Sequence, residues 1–412
     1  MKRINNVFIS INNYLFGIVM IFGILICNQS CIEPYEGAVD SFEDVLVINA
    51  IVTNELKRQE IYLTRSYRFE DEEPPLETGA TVSIRTDDGF DFGFEETEPG
   101  VYKSIQAFAA QLDKAYTLHI MTESGREYAS RPMELPVAST SIDDMAANRI
   151  INDDGEEGIS IDINSFDPTG SSKYYRHDFI ETFKIIAPLW SPFDAVFEIE
   201  GLNEYSIPVI LREQEERTCY GTNKSTAINV FSTLALAEDR LQNYSVRFIN
   251  RDDYILTYRY SILVRQYVQS PETFAYYDIL KGLTQSSTTV FSEDQPGFLA
   301  GNVTSVTNPN ENVAGFFEVS TVAEERLFFS WDDFFPGEDL PPHIIQCLFQ
   351  KPSSSGTIGT RNLVNIIREN KMRFYDFNTN PQPGEGEYIM VLPECGDCTT
   401  LGSNIIPDFW IE

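Results

Sequence analysis

Histidine is nearly missing from this chain, with three residues in 412: His119, His177 and His343. None stands in HExxH spacing, so the usual helical zinc-protease arrangement is excluded. A Gly-x-Ser-x-Gly elbow and a phosphate-cradling glycine loop are absent too, which leaves no motif for a serine hydrolase or a nucleotide-binding fold. Cations are scarce: 30 Lys and Arg face 63 Asp and Glu, a net charge of −33. Nucleic acid is thereby excluded as a partner, because phosphate recognition needs a basic footprint. An anionic lipid surface would be repelled as well. Solubility alone accounts for such a charge, and attraction of cations or a basic partner is the functional alternative. Tryptophan is rare, with 3 residues, whereas Tyr and Phe number 20 and 29, which favours β-structure over helical bundles. No fixed-period repeat and no low-complexity tract is visible.

The N-terminus carries what reads as an export signal. Met1-Lys-Arg3 is a basic start, and an apolar run from Tyr14 to Cys27 follows, short for a membrane span but suited to a signal peptide. Cys27 and Cys31 compete for lipid attachment. Ser30 gives Cys31 the small preceding residue that a lipoprotein peptidase needs, whereas Cys27 follows bulky Ile26. The expectation is a leader over 1–30, lipidation at Cys31 and an acidic tether over 31–43. An ordinary secretory signal cleaved nearby is the alternative. Cleavage removes Lys2 and Arg3 and no acid, so the charge moves from −33 to −35.

Four further cysteines, Cys219, Cys347, Cys395 and Cys398, are disulfide candidates in an exported chain, with three connectivities open. Cys395-Gly-Asp-Cys398 has CxxC spacing but no βαβ pattern around it, so a structural crosslink is expected rather than redox chemistry. Zinc would want a second CxxC or paired histidines, and neither exists.

The remaining chain is too long for one compact core, so two regions are expected. Over 44–137, short alternating strands punctuated by Asp88-Gly89, Pro99-Gly100 and Ser124-Gly125 suggest an immunoglobulin-like or transthyretin-like β-sandwich. A larger β-rich region with small helical insertions is expected over 138–412. Its centre is Tyr254 to Val268, which alternates as a long strand that should bend. Ser270 and Pro271 then start a helix near 271–281, with Phe274, Tyr277 and Leu280 on one face and Gly282 able to end it. Phe316 to Val322 and Arg326 to Trp331 read as a further strand pair, and Leu363 to Asn370 as a short helix.

Several constellations invite chemistry. His177 and Glu181 share a strand face but lie about 13 Å apart, too far for direct hydrogen bonding, so a satisfied core histidine is favoured. The acidic loops Asn152 to Glu157 and Asp332 to Asp339 lack the ligand spacing of a calcium loop and read as solvated turns. Trp190, Phe334 and Phe335 could stack on a ligand, but such residues are more often core. No catalytic residue, cofactor or metal is expected.

Cys31-Ile-Glu-Pro-Tyr35, Tyr260 to Val264 with Gln266 and Tyr267, and the helix from Ser270 to Leu280 resemble a Bacteroidota lipoprotein family, domain of unknown function 4249. So do Pro296, Gly301-Asn302, Gly315-Phe-Phe317 with Ser320, and the closing Cys395-Gly-Asp-Cys398, Gly402, Asn404 and Pro407-Asp-Phe-Trp410. The resemblance departs at Asn28, where an aliphatic residue is usual. It implies a lipid-anchored protein of the outer membrane, the cell surface favoured, that acts as a non-enzymatic accessory of a TonB-dependent receptor. It transfers no catalytic residue and names no ligand. A structural or adhesive surface protein is the alternative expectation, and a hydrolase without a recognisable motif comes third.

Overall fold

The computed structural model describes residues 43–68, 71, 73–137, 140–201, 204–285, 299–353 and 356–412. The expected leader, Cys31, all of the tether but Glu43, and Pro296 lie outside the described residues.

The first strand, β1 (Leu46–Thr53), buries alternate residues, Leu46, Ile48, Ala50 and Val52. Only a pleated strand puts a period-two apolar set on one side, which is why this segment extends. It is followed by β2 (Glu60–Arg65), β3 (Thr81–Thr86), β4 (Asp91–Glu98), β5 (Val101–Ser104), β6 (Ala115–Met121), β7 (Glu127–Ser130) and β8 (Met133–Glu134). Three longer strands come next: β9 (Asp144–Ile151), β10 (Glu157–Phe166) and β11 (Tyr174–Ile186). Four short strands, β12 to β15, lie between Phe193 and Leu211. Then come β16 (Thr218–Lys224), β17 (Asn229–Ser232), β18 (Arg240–Asn250), β19 (Arg259–Val268), β20 (Val303–Ser305) and β21 (Val313–Ser330). A hairpin of β22 (Arg373–Phe377) and β23 (Tyr388–Val391) closes the set. The chain is mainly β with a few small helices, as its composition predicts.

Hydrogen bonding joins fourteen of these strands in one sheet, in the order β16-β11-β19-β21-β1-β2-β5-β4-β3-β6-β7-β20, with β17 on β11 and β8 on β6. Among the described residues every pair in it is antiparallel except β1 with β21. The first half of β21 pairs with β1, from Val313 opposite Leu46 to Ser320 opposite Thr53. Its second half pairs with β19, from Thr321 opposite Val268 to Ser330 opposite Arg259. At about 3.3 Å per residue such a strand spans roughly 60 Å, so one element serves two cores. The N-terminal core of Leu46, Ile61, Tyr102, Tyr116 and Tyr128 also contains Val303, Val313, Phe317 and Val319. The second core joins Phe183, Tyr260, Ile262 and Phe329 of the large sheet to Ile161, Ile163 and Ile249 of a three-stranded sheet, β18-β10-β9. Val45–Glu412 form one compact unit.

Backbones pass unusually close where β21 begins. Gly315 has φ +97°, and a Cβ there would stand 1.8 Å from the Ile48 carbonyl oxygen; one on Gly301 would stand 1.6 Å from the Gly315 oxygen. Beside them the buried Asn302 amide donates to the Phe317 carbonyl and accepts from the Phe317 N–H, both at 2.8 Å. One side chain thus supplies the donor and acceptor that a strand partner would otherwise provide. This gives the Gly301-Asn302 and Gly315-Phe-Phe317 pattern a physical reason.

Three expectations need correction. Tyr254–Leu256 form a 3-10 turn rather than the start of the long strand, because the Asp253 carboxylate accepts from the Ile255 N–H and caps it. The expected strand pair at 316–331 is the single strand β21, since Ala323-Glu324-Glu325 offers no turn residue and β19 supplies continuous partners. The central helix spans Pro271–Gln285, with the Ser270 hydroxyl accepting from the Thr273 N–H at 3.1 Å, and Gly282 lies inside it instead of ending it. A glycine stops a helix by taking left-handed φ, and Gly282 is not among the positive-φ residues. The expected short helix near Leu363 is present as Gly356–Arg368.

Cysteine pairing is Cys219 with Cys398 and Cys347 with Cys395, at Cα separations of 5.5 and 5.7 Å. The two cysteines of the CxxC run therefore reach different partners, one on β16 and one on the segment before the Gly356–Arg368 helix.

Candidate functional site

Tyr260, Ile262 and Val264 of β19 enter the second core, so Ser261, Leu263, Arg265 and Tyr267 point to the opposite side of the sheet. The register carries that side across the strands. Glu324 lies opposite Arg265, Phe316 opposite Asn49, and Asn49 opposite Tyr62. The 271–285 helix covers part of this face. Its Tyr276 ring lies 4.8 Å from Phe316 with its hydroxyl bonded to the Gly315 backbone, and Phe274 packs 5.0 Å from Tyr174.

Two cavities open on this face, the larger of them beside the helix. The larger, about 440 Å³, is lined mainly by Val47, Tyr276, Tyr277, Leu280, Leu299 and Phe316. The second, about 270 Å³, is lined by Lys57, Arg58, Glu60, Tyr62, Arg265 and Tyr267 among others. Asn49 lines both, so they adjoin across β1. One is aromatic and aliphatic, the other polar and mostly cationic.

A buried ionic group stands between them. Arg176 is sandwiched, its guanidinium 4.0 Å from the Tyr267 ring and 5.0 Å from that of Tyr277. It donates to Glu318 at 3.3 Å and to Asp178. Glu318 is fully buried and also accepts from Gln269 at 3.0 Å, Ser320 at 2.6 Å and the Tyr277 hydroxyl. A buried carboxylate is tolerable only when its lone pairs are filled in this way. Burial opposes the charge on Arg176, but Glu318 and Asp178 outweigh it and hold the guanidinium firmly ionised. Burial, with the Asp178 charge second, pushes Tyr267 up to about 12. The stack thus fixes two tyrosines, one in the wall of each cavity.

Burial works against ionisation of Glu60, yet hydrogen bonds from Lys103 and Tyr62 outweigh it, and the charges of Lys103 and Lys224 act in the same direction. Tyr62 in turn is raised to about 12, by burial first and by Glu60 second.

The other candidates serve the fold. His177 is buried, hydrogen-bonded through Nε2 to the Gln266 amide oxygen at 3.2 Å, and depressed to about 4 by burial, so it stays neutral. Glu181 accepts instead from Arg247 at 3.1 Å, Tyr260 at 2.7 Å and Asn223 at 3.2 Å. Asn152 closes a turn by accepting from the Asp154 and Glu156 N–H groups. Glu157 and Glu338 pair with Arg149 and Arg251. Phe335 is buried, stacked 4.1 Å from Trp331, while Trp190 and Phe334 pack against the second core. His343, Cys347 and Cys395 bring ligand atoms within 4.8 Å of one another, but both sulfurs are committed to their disulfide. Lys57, Arg58, Asn49 and Tyr62 carried no signal in the sequence, since only the fold brings them to Arg265 and Tyr267.

A search of curated proteins finds no match to the chain. The family model described as Domain of unknown function (DUF4249) matches residues 32–326, most of the sequence, and the chain belongs to that family.

Proposed function

We propose that this member of the DUF4249 family is a Bacteroidota outer-membrane lipoprotein, anchored through Cys31, that serves a TonB-dependent transporter as a non-enzymatic binding accessory. The observation that carries the binding role is the pair of adjoining cavities on one face of the large sheet. Their walls use Tyr267 and the 271–285 helix, both within the motif that led to the family. A pocket of a few hundred Å³ with a few fixed polar groups is the usual form of a small-molecule site. The anchor rests on the basic start, the apolar run and Ser30 before Cys31. The receptor rests on the family resemblance.

Labelled palmitate should enter the wild-type chain and the Cys27→Ala variant but not Cys31→Ala; the reverse pattern would refute the anchor. The receptor is tested with the full-length tagged chain, because β21 contributes to both cores: an N-terminal half-chain lacks it and a C-terminal half-chain leaves it without β1. Purified from its own outer membrane, the protein should bring a β-barrel receptor with it. Recovery without any barrel would favour the structural or adhesive reading.

A further inference from the structure

We infer that the two adjoining cavities are one site for a small amphipathic anion, a carboxylate or sulfonate with an aromatic or aliphatic body. This inference rests on the binding role proposed above and adds the class of ligand. The charge pattern argues for it. Acids outnumber bases by 63 to 30 in the chain, yet the lining of the smaller cavity carries Lys57, Arg58 and Arg265 against Glu60 alone. With the carboxylates that pair with them, Glu55, Glu95 and Glu324, and with Lys103 beside Glu60, four bases meet four acids here, so an anion escapes the excess of negative charge that repels it elsewhere on the molecule.

The cations are held in place. Glu55 bonds both Lys57 and Arg265, Glu95 bonds Arg58 at 2.7 Å, and Glu324 lies 3.4 Å from Arg265. None of these three carboxylates lines the cavity. Glu60, which does, is already engaged by Lys103 at 2.8 Å and by the Tyr62 hydroxyl at 2.6 Å. With Nη2 of each arginine so engaged, Nη1 of Arg58 and Nη1 of Arg265 are the donors left to meet a ligand's carboxylate or sulfonate among the described residues. Across Asn49 the larger cavity changes character, with Tyr276, Phe316, Leu280 and Val47 offering rings and aliphatic groups. Asn49 itself is exposed and carries an amide that can bond the middle of a ligand. A molecule lying across β1 would therefore keep its charge at Arg265 and Arg58 and its body against Tyr276.

The experiment uses the purified chain and two fluorescent probes with the same rings. 8-Anilinonaphthalene-1-sulfonate carries the anion and N-phenyl-1-naphthylamine does not. We expect saturable binding of the sulfonate at one site per chain, about tenfold tighter than the neutral probe, weakening as salt rises. Arg58→Gln and Arg265→Gln should each weaken the sulfonate about tenfold, the order of one charge-assisted contact, and leave the neutral probe unchanged. Tyr276→Ala should weaken both probes. Arg58 is the more exposed cation, so its variant reports on binding even where Arg265→Gln lowers the melting temperature. Equal affinity for the two probes would overturn the inference. So would a sulfonate affinity indifferent to Arg58→Gln in a chain that melts like wild type, or probe binding unchanged by Tyr276→Ala. No receptor enters this assay, so its failure beside successful barrel co-purification removes the ligand class and leaves the partner, and the opposite result does the reverse.

Discussion

Gly315→Ala should prevent the chain from reaching its folded state. A methyl group there would lie 1.8 Å from the Ile48 oxygen and 2.7 Å from the Ile48 nitrogen. Those are backbone atoms of the neighbouring strand, so no rotamer change relieves the overlap. The only escape is separation of β1 from β21, and that opens the N-terminal core along its shared strand. We expect a loss on the order of 5 kcal/mol or more, in the range that single substitutions reach only by such mechanisms. Gly337→Ala is the matched control. Its φ is +74°, also left-handed, but nothing lies within 4 Å of the added carbon. That variant should lose only about 1–2 kcal/mol, the strain of an L-residue in this conformation. Denaturant titration of both variants decides the matter. A cooperative Gly315→Ala transition near that of Gly337→Ala would show that the strands separate cheaply, contrary to this account.

Removal of the Cys219–Cys398 disulfide should cost more than removal of Cys347–Cys395. The sequence separations are 179 and 48 residues. Chain-entropy reasoning then gives about 5 kcal/mol for the long loop and about 4 kcal/mol for the short one. Packing adds to the difference in the same direction. Cys219 and Cys398 are both fully buried in the second core, whereas Cys347 is only half-buried. Paired Cys→Ala variants, compared by urea unfolding, should therefore rank in that order. Equal stabilities, or the opposite order, would mean that the unfolded chain is already constrained without the long crosslink. Alkylation before reduction should meanwhile find the four cysteines oxidised in the native protein.

What could be read in the sequence was local. The apolar run Val45 to Thr53 and the alternation in Arg259–Val268 pointed to strands, and Ser270-Pro271 marked the start of the 271–285 helix within its own turn. The length of β21 could not be read, because the middle residues Ala323, Glu324 and Glu325 are neither turn formers nor strongly apolar; the partner β19 decides their state. The turn at Tyr254–Leu256 depends on one Asp253 side chain within a run whose periodicity argued for a strand. The site was still less legible. Asn49, Tyr62, Arg265 and Tyr276 come from four separate elements, and only sheet order makes them neighbours. Disulfide pairing is of the same kind, since four cysteines allow three solutions until the fold chooses one.

The parallel pairing of β1 with β21 also sets a timetable. Leu46 faces Val313, so when β1 leaves the ribosome its partner is still about 270 residues from being made, roughly 15–50 seconds at ordinary rates of synthesis. Meanwhile Leu-Val-Ile-Asn-Ala-Ile-Val-Thr is an apolar, uncharged strand with one edge unpaired, the kind of segment that joins a neighbouring chain if left free. Until that pair forms, residues 46–53 are an aggregation-prone edge, and the yield of folded protein should fall more steeply with expression rate than that of a sheet built from hairpins alone.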